Sequence, residues 1–375
     1  MEIIRDTLSE IQEVLFKDKV ILIYGTRMVG KTTLVRHILN KYPKKRSNYF
    51  NCEDVRIRRV LEDTTIENFR RAFSQYDLVV FDEAQIVRNI GFSLKLLHDS
   101  FPKLQIIATG SSSFELSNKI GEPLVGRARY FTLYPFSLNE ITTDFLQTDS
   151  SIEHILRFGL YPTVVNKSEK EMKREITDIA NGYLYKDIFA LEGLKHSQML
   201  TDLLTQLALQ VGSEVSYNEL ASSLRISIET LQKYIELLEK CFVLFVLPAF
   251  SRNLRKEVGK KTRKIYFYDL GVRNAIINQF APLNLRNDVG ALWENFCITE
   301  LIKKAHNKGF FPNNYFWRTY EGKEIDFIEE SDGILNAYEF KYSPNQKVKV
   351  PKIFMDEYKP HFSAINRENY PKYLL

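Results

Sequence analysis

Cysteine, long apolar runs and a strong excess of one charge are all scarce in this sequence. Only three cysteines occur in 375 residues, Cys52, Cys241 and Cys297, and they form no CxxC pair. The sequence therefore predicts neither a disulfide framework nor a zinc site, and its cysteine usage is typical of a reducing cytosol. Residues 1–19 carry charges throughout, so we expect no secretory leader there.

No segment is apolar for long enough to cross a bilayer. The longest strongly apolar run, 241–250, is about half the length that a spanning helix needs, and it contains Pro248. The formal net charge is +5 with 26% charged residues, so the position of charge matters more than its total. We expect a cytoplasmic protein with no membrane partner, large enough for about two to four compact units.

A phosphate-binding motif stands near the N-terminus. The pattern G-x-x-x-x-G-K-[ST] is met by Gly25, Gly30, Lys31 and Thr32, between a strand-like stretch and a helix-like one. Glycines let backbone N–H groups surround phosphates, and the positive helix end attracts the same anion. Lys31 is expected to reach the β- and γ-phosphates of ATP, and the Thr32 hydroxyl to ligate magnesium. The predicted nucleotide contacts are Gly25, Thr26, Arg27, Met28, Val29, Gly30, Lys31, Thr32 and Thr33.

A second apolar stretch, 78–81, ends in two acids. Asp82 is the candidate for holding magnesium through water, and Glu83 is the candidate for activating the attacking water. By itself the pattern would equally suit a surface loop with two acids after a core strand. After a phosphate-binding loop, it favours hydrolysis of ATP over binding alone.

Two further candidates follow along the chain. Ser111 and Ser112 end a third strand-like stretch, where they are placed to sense the γ-phosphate; Ser112 or Ser113 could equally cap the next helix. Arg127 precedes another strand and is a candidate for stabilising charge on the transferring phosphoryl group, in cis or in trans. Action in trans would require a homo-oligomer; a plain surface arginine is the alternative.

The segments GTRMVGKTT, FDEAQ, TGSSS and LVGRARYFTLYPFSLNE, in this order, resemble the AAA+-type ATPases of the archaeal-ATPase group. The resemblance covers residues 1 to about 190. It implies a P-loop αβα parallel sheet followed by a helical lid, with MgATP as the ligand. Members of this group often carry a C-terminal nuclease-like domain of unassigned function.

The middle of the chain has a helical rhythm with capping signals. Ser168 with Glu171, and Ser216 with Glu219, have the spacing of capping boxes, and the first of these begins a predicted helix that reaches about Leu191. Between 199 and 270, three helix-like stretches precede two strand-like ones, the order of a winged helix-turn-helix. Its recognition helix would be 227–240, exposing Lys233.

The loop 251–264, which would be the wing, is strongly basic and contains one acid, Glu257. Such a loop can follow a phosphate backbone, so DNA is the predicted partner. A solvated charge run, or a winged helix that docks proteins, is the alternative. The candidate nucleic-acid contacts are Lys233, Arg252, Arg255, Lys256, Lys260, Lys261, Arg263 and Lys264.

The C-terminal part reads as a helix followed by three strands. Asp326 lies on one strand, and Glu339 and Lys341 alternate past Phe340 on the next, so those two share a face; Glu294 on the helix can join them. The set resembles the PD-(D/E)xK nucleases, although Ile325 stands where that pattern has proline. The resemblance implies that Glu294, Asp326 and Glu339 hold Mg2+ or Mn2+, with Lys341 beside the reacting water. A relic fold with these groups in ion pairs remains the alternative.

The sequence thus predicts an α/β protein in four parts. These are a P-loop AAA+-like ATPase domain (1–142), a helical lid or linker (143–198), a winged helix-turn-helix (199–282) and a PD-(D/E)xK nuclease-like α/β domain (283–375). The favoured function is hydrolysis of MgATP coupled to a DNA-engaging C-terminal region, in which cleavage is an open question. The alternative is an ATP-dependent signalling switch that docks proteins and leaves DNA uncut.

Overall fold

The computed structural model describes residues 3–111, 124–141, 149–184, 197–252 and 262–375. The chain divides into two compact units: one comprises Met1–Tyr134 with Lys240–Phe242, the other Pro135–Glu239 with Val243–Leu375. Within the described ranges, no helix combines the length and apolarity required to span a membrane.

The first unit alternates strands and helices. Its strands are β1 Val20–Tyr24, β2 Ser47–Asn51, β3 Leu78–Asp82, β4 Gln105–Gly110 and β5 Ala128–Thr132. Its helices are α1 Thr7–Val14, α2 Lys31–Lys41, α3 Val55–Glu62, α4 Ile66–Phe73 and α5 Ile90–Ser100. The strands form one sheet in the order β2-β3-β4-β1-β5, and every pair is parallel.

Burial explains why the central strands read as unbroken apolar runs. Every residue of β1, β3 and β4 is buried, because helices cover both faces of a parallel sheet. Ligands of such sheets bind outside the carboxyl ends of the strands. The loop after β1 and the acids after β3 meet at that edge, which is where the sequence predicts the nucleotide site.

The second unit begins with helices. They are α6 Asp149–Phe158, α7 Glu169–Ile179, α8 Ser197–Leu209, α9 Tyr217–Leu224 and α10 Ile228–Lys240. The predicted capping box of Ser168 and Glu171 is present at the start of α7, and Ser216 accepts the Glu219 N–H at the start of α9. The part of the predicted lid helix beyond residue 184 lies outside the described residues.

Two strands follow these helices and pair antiparallel: β6 Leu244–Pro248 and β7 Arg263–Phe267. Three helices and then a two-stranded hairpin is the order that the sequence predicts for 199–270; a winged helix is still a prediction. After β7, α11 Leu270–Ile276 begins at Asp269, whose side chain accepts the Val272 N–H.

Asp269 also fixes the turn after α6. Its Oδ2 accepts the Leu160 N–H at 2.7 Å, and Gly159 takes up a left-handed φ of +78° beside it. A Cβ on Gly159 would lie 2.1 Å from Asp269 Oδ1. Only glycine therefore fits between this turn and the start of α11.

The C-terminal part has a long buried helix and a mixed sheet. The helices are α12 Val289–Asn307, α13 Lys352–Tyr358 and α14 Tyr370–Leu374; the strands are β8 Asn313–Arg318, β9 Glu324–Ser331, β10 Ile334–Phe340 and β11 His361–Ile365. The sheet order is β11-β10-β9-β8, with β10 and β11 parallel and the other pairs antiparallel. The helix and three strands match the order that the sequence predicts.

Candidate functional site

The loop between β1 and α2 has the backbone conformation that its glycines predict. Gly25 has φ +151° and Gly30, the N-cap of α2, has φ +96°, both in the region that favours glycine. A Cβ on Gly25 would lie 2.2 Å from the Leu133 carbonyl oxygen, so the loop passes too close to that backbone for any larger residue. The first turn of α2 leaves backbone N–H groups for an anion, because they have no partner within the helix.

Lys31 lies across this loop instead of pointing into solvent. It is 5% exposed, and its Nζ donates to the carbonyl oxygens of Gly25 at 2.7 Å and Thr26 at 2.9 Å. Arg5 supports the loop from the other side, with one guanidinium nitrogen on the Val29 carbonyl at 2.8 Å. Arg5 could not be predicted from the sequence, because a lone arginine before a helix belongs to no motif.

Three hydroxyl groups converge on Asp82, which is buried at the end of β3. Thr32 Oγ1 donates to Asp82 Oδ2 at 2.7 Å. The Tyr49 hydroxyl donates to the same oxygen, and Thr109 Oγ1 donates to Asp82 Oδ1. The contact of Thr32 with Asp82 joins the two residues that the sequence predicts for magnesium.

Tyr49 and Thr109 were missed by sequence reasoning. Tyr49 lies on β2, the strand next to β3, and its pKa is raised by burial and then by its bond to Asp82. Thr109 lies two residues before the predicted Ser111, at the end of β4. For Thr109 a positional signal was available, because polar side chains near the ends of neighbouring parallel strands meet at one edge. Tyr49, in the middle of β2, had no such signal.

Glu83 and Ser111 lie at the same edge of the sheet as Asp82. Glu83 has a left-handed φ of +54° and is half-buried; its side chain accepts a hydrogen bond from Gln85. Ser111 follows β4 and is buried. Ser112 and Ser113, the alternative caps, lie outside the described residues.

Arg127 does not lie near this edge, and this position does not fit action in cis, one of the alternatives that the sequence left open. Its carbonyl accepts the Val20 N–H at 2.9 Å, so it stands where β1 begins, at the opposite edge of the sheet from the loop after Tyr24. Its Nε pairs with Asp99 at 2.7 Å, and this bond raises the pKa of the guanidinium. The sequence pattern could not place Arg127, because it does not show at which edge of the sheet the arginine lies.

The side chains around the loop fit a magnesium–nucleotide ligand. Magnesium is commonly held by one or two protein oxygens together with substrate phosphates, and it prefers hard oxygen donors. Thr32 and Asp82 supply one hydroxyl and one carboxylate that already touch. Lys31 and the start of α2 would face the phosphates.

The second unit brings together the acids and lysine that the sequence predicts for the C-terminal part. Glu339 lies on β10, and its Oε1 pairs with Lys341 Nζ at 2.7 Å. Asp326, on β9, accepts the Phe340 N–H at 2.8 Å. Burial, then the charges of Glu294 and Glu339, raise the pKa of Asp326 well above its usual value.

Lys264 joins this group, which corrects its assignment to a DNA-contacting wing. It lies on β7, 3% exposed, and its Nζ pairs with Glu294 at 3.1 Å and contacts Glu324. Burial lowers the pKa of Lys264, but the charges of Glu294 and Glu324 outweigh that and raise it. Tyr266 OH also donates to Glu294, at 2.6 Å. Sequence reasoning placed Lys264 at the end of the loop and missed Glu324.

The other described candidates for nucleic-acid contact differ in availability. Lys233 is exposed on α10. Arg263 lies over the Tyr217 ring, 4.7 Å from its centroid. One guanidinium nitrogen of Arg252 donates to both carboxylate oxygens of Glu330, at 2.5 and 2.6 Å. The remaining loop candidates, Arg255, Lys256, Lys260 and Lys261, lie outside the described residues.

The acidic group of the second unit does not fit a divalent metal well as it is arranged. Two ammonium groups, from Lys264 and Lys341, already pair with its carboxylates. The observation in favour of a cation is Glu339 Oε2, a buried carboxylate oxygen that has no hydrogen-bond partner. In the part of the chain that the structure describes, no group of three or more His, Cys, Asp and Glu side chains is placed to hold a metal ion.

Three family models match successive parts of the chain. Residues 17–142 match the AAA domain, 149–283 match a domain of unknown function (DUF8612), and 289–369 match another domain of unknown function (DUF4143). The first match and the parallel sheet with its phosphate-binding loop support a P-loop AAA+ ATPase fold for the N-terminal part. The other two matches carry no assigned activity.

Similar proteins occur in distant organisms. An uncharacterized protein of Methanocaldococcus jannaschii is 26% identical over 366 residues, which cover 90% of this chain and 79% of the relative. Uncharacterized proteins of Mycobacterium tuberculosis and Haemophilus influenzae are also 26% identical, over 90% and 86% of this chain and 73% and 83% of their own lengths.

Solved structures give weaker likenesses. AMPPCP-bound DnaA from Aquifex aeolicus has a TM-score of 0.35 at 18% identity, covering 63% of this chain and 86% of that one. Cdc6p from Pyrobaculum aerophilum has a TM-score of 0.31 at 13% identity, covering 74% and 94%. Scores this low support no conclusion about function.

Proposed function

We propose that the protein binds MgATP at the loop between β1 and α2 and hydrolyses it. The observation that carries the proposal is the contact of Thr32 Oγ1 with Asp82 Oδ2 at 2.7 Å, beside a buried Lys31. This contact sets a hydroxyl and a carboxylate next to the anion-binding start of α2. Few arrangements other than a metal–nucleotide site need a hydroxyl, a carboxylate and a buried lysine together.

Each side chain has a distinct task in this proposal. Lys31 exchanges its bonds to the Gly25 and Thr26 carbonyls for the β- and γ-phosphates. Thr32 and Asp82 orient the magnesium, which when bound neutralises developing phosphate charge. Glu83 accepts a hydrogen bond from the attacking water and, as a general base, draws off its proton.

Variants of these residues test the proposal by steady-state ATP hydrolysis and nucleotide binding. Lys31→Ala should abolish binding, whereas Glu83→Gln should leave binding intact and slow turnover by about 100-fold or more, as loss of a general base does. Lys41→Ala, an exposed lysine at the end of the same helix, is the matched control and should behave as wild type. Equal turnover in Glu83→Gln and wild type would exclude Glu83 as the base; binding unaffected by Lys31→Ala would exclude the site itself.

We propose in addition that the second unit engages DNA. Support comes from α10, which exposes Gln232 and Lys233 on the third of three short helices, and from the basic composition of 251–264, of which 253–261 lie outside the described residues. Affinity should fall steeply with salt if phosphate contacts dominate. The alternative, a switch that docks proteins through an apolar face, predicts binding that salt changes little.

Cleavage of DNA by Asp326, Glu339 and Lys341 is the competing form of this second proposal, and the pairing of its carboxylates with lysines argues against it. It requires a divalent cation among carboxylates that two lysines now hold. Incubation of DNA with the purified protein and Mg2+ or Mn2+, with and without ATP, tests it directly. Cleavage that disappears in Glu339→Ala would establish a nuclease; intact DNA together with active ATPase would leave binding alone.

A further inference from the structure

A basic cleft opens beside the acidic group of the second unit. Its volume is about 620 Å³, and it lies between the turn from β8 to β9, the end of β10 and the start of α13. Five lysines and two glutamates line it: Lys323, Lys341, Lys347, Lys349, Lys352, Glu324 and Glu339. The cleft therefore has a positive lining although it adjoins a cluster of acids.

Three of these lysines are available to a ligand. Lys347, Lys349 and Lys352 are exposed, and none of them forms an ion pair or hydrogen bond with a residue that the structure describes. They succeed one another at spacings of two and three residues, on the segment that follows Lys341. Unpaired ammonium groups in a row favour a ligand with repeated negative charges.

Two ammonium groups from within the chain partly offset the charge of the acids beside the cleft. Lys341 pairs with Glu339 at 2.7 Å, and Lys264 pairs with Glu294 at 3.1 Å and contacts Glu324. Among the residues that the structure describes, no group of three or more His, Cys, Asp and Glu side chains is placed to hold a metal ion. The acids therefore offer a divalent cation no ready set of ligands, and the exposed lysines supply the positive charge of the lining.

We propose that this cleft binds the phosphodiester backbone of a nucleic-acid strand without a divalent metal and without cutting it. The inference rests on the proposal that the second unit engages DNA, and it assigns the contacts to Lys347, Lys349 and Lys352. The repeated phosphates of a single strand match the row of lysines, and a cleft of this size accommodates a strand more readily than a duplex. Lys341 and Lys264 keep their pairs with Glu339 and Glu294 while the strand is bound.

The test measures binding of fluorescein-labelled single-stranded DNA to the full chain in EDTA, over a series of salt concentrations. The variant Lys347→Ala/Lys349→Ala/Lys352→Ala should bind about tenfold or more weakly, and its salt slope should fall by about two, since each lost contact to a single strand removes about 0.7. The control Lys17→Ala/Lys44→Ala/Lys170→Ala removes the same charge from exposed positions elsewhere and should keep the wild-type slope. Circular dichroism checks that both variants are folded.

Each outcome decides between the proposals. Wild-type binding that the cleft variant and the control weaken equally overturns the cleft but leaves DNA engagement standing. Wild-type chain that binds no DNA at all overturns both. Binding that appears only when Mg2+ replaces EDTA, or DNA that is cut in Mn2+, overturns the metal-free, non-cutting site. A single-stranded RNA of the same sequence should also lose affinity in the cleft variant, because RNA and DNA share the phosphodiester backbone. RNA binding that the cleft variant leaves unchanged would contradict contacts to that backbone.

Discussion

At the scale of single residues, Asp82 is the most heavily engaged side chain of the candidate ATP site. Thr32, Tyr49 and Thr109 all donate hydroxyl hydrogen bonds to it, two of them to the same oxygen. A carboxylate held by several donors has one orientation, and partners behind a metal-binding group commonly tune its affinity for the metal. Tyr49 is therefore expected to act as a positioning residue.

Tyr49→Phe should weaken the binding of magnesium during ATP hydrolysis. The concentration of Mg2+ that gives half the maximal rate should rise by about tenfold. The reason is that the ring remains packed while the hydroxyl that orients Asp82 is lost. A magnesium titration of the ATPase rate measures this. Tyr76→Phe is the matched control, because its hydroxyl bonds Asn48 at 3.0 Å and not Asp82. Identical titrations for both variants would show that Tyr49 serves only packing.

The residue scale also shows where sequence reasoning succeeds and where it stops. Lys31, Thr32 and Asp82 could be predicted, because motif spacing determines which residues follow a strand. Tyr49 could not, since it comes from β2 and only strand order brings it to Asp82. Lys264 was assigned to the wrong surface because a run of positively charged residues does not reveal which side chain points into the core.

At the scale of elements, the turns between helices and strands depend on a few close approaches. Gly159 stands between α6 and Leu160, with its hydrogen atoms facing the carboxylate of Asp269. That carboxylate accepts N–H groups from Leu160 and Val272, so it joins the end of α6 to the start of α11. Because Asp269 is buried, its carboxylate depends on these hydrogen bonds and on the close fit of Gly159.

Gly159→Ala should lower the free energy of unfolding by on the order of 2–3 kcal/mol, because alanine is strained at φ +78° and its Cβ would strike Asp269. Urea denaturation followed by circular dichroism gives the value. Gly290→Ala in α12 is the comparison: nothing lies within 4 Å of its Cβ, and the change should raise stability by about 0.4–1 kcal/mol. If both variants lost stability alike, the contact with Asp269 would not be the cause.

Elements themselves were predicted more securely than contacts between them. The strands near Asp326 and Glu339 follow from alternation and from the turn at 321–323, and the structure has them as β9 and β10. The pairing of Arg252 with Glu330 was not predictable, because it joins segments far apart in sequence. The four-part division of the chain stays a prediction beside the two compact units that are observed.

At the scale of the whole molecule, a proposed ATP site in one unit and a proposed DNA-binding region in the other raise the question of coupling. Coupling is a free energy, and it is reciprocal: if ATP changes affinity for DNA, DNA changes affinity for ATP by the same factor. The net charge of +5 is too small to drive DNA binding without local clusters of lysine and arginine.

We expect ATP to change the dissociation constant of the full chain for DNA severalfold, and Lys31→Ala to abolish that change while leaving ATP-free binding intact. Fluorescence anisotropy with labelled DNA, at fixed salt and with ATP or no nucleotide, measures both quantities. An identical dissociation constant in the two conditions, in a protein that hydrolyses ATP, would show that the two activities are independent.

Strand β7 places two adjacent basic residues in different surroundings. Arg263 and Lys264 are neighbours on it, one lying over Tyr217 and the other buried among Glu294 and Glu324. Because successive side chains of a strand point to opposite faces, a slip of one residue in the pairing with β6 would turn Lys264 to the other face, away from Glu294 and Glu324. The misaligned hairpin would leave acids without their ammonium partner in a closed space. The pairing of Lys264 with Glu294 and Glu324 thus favours the observed register of the hairpin. A hairpin in the wrong register would be destabilised once these acids are buried.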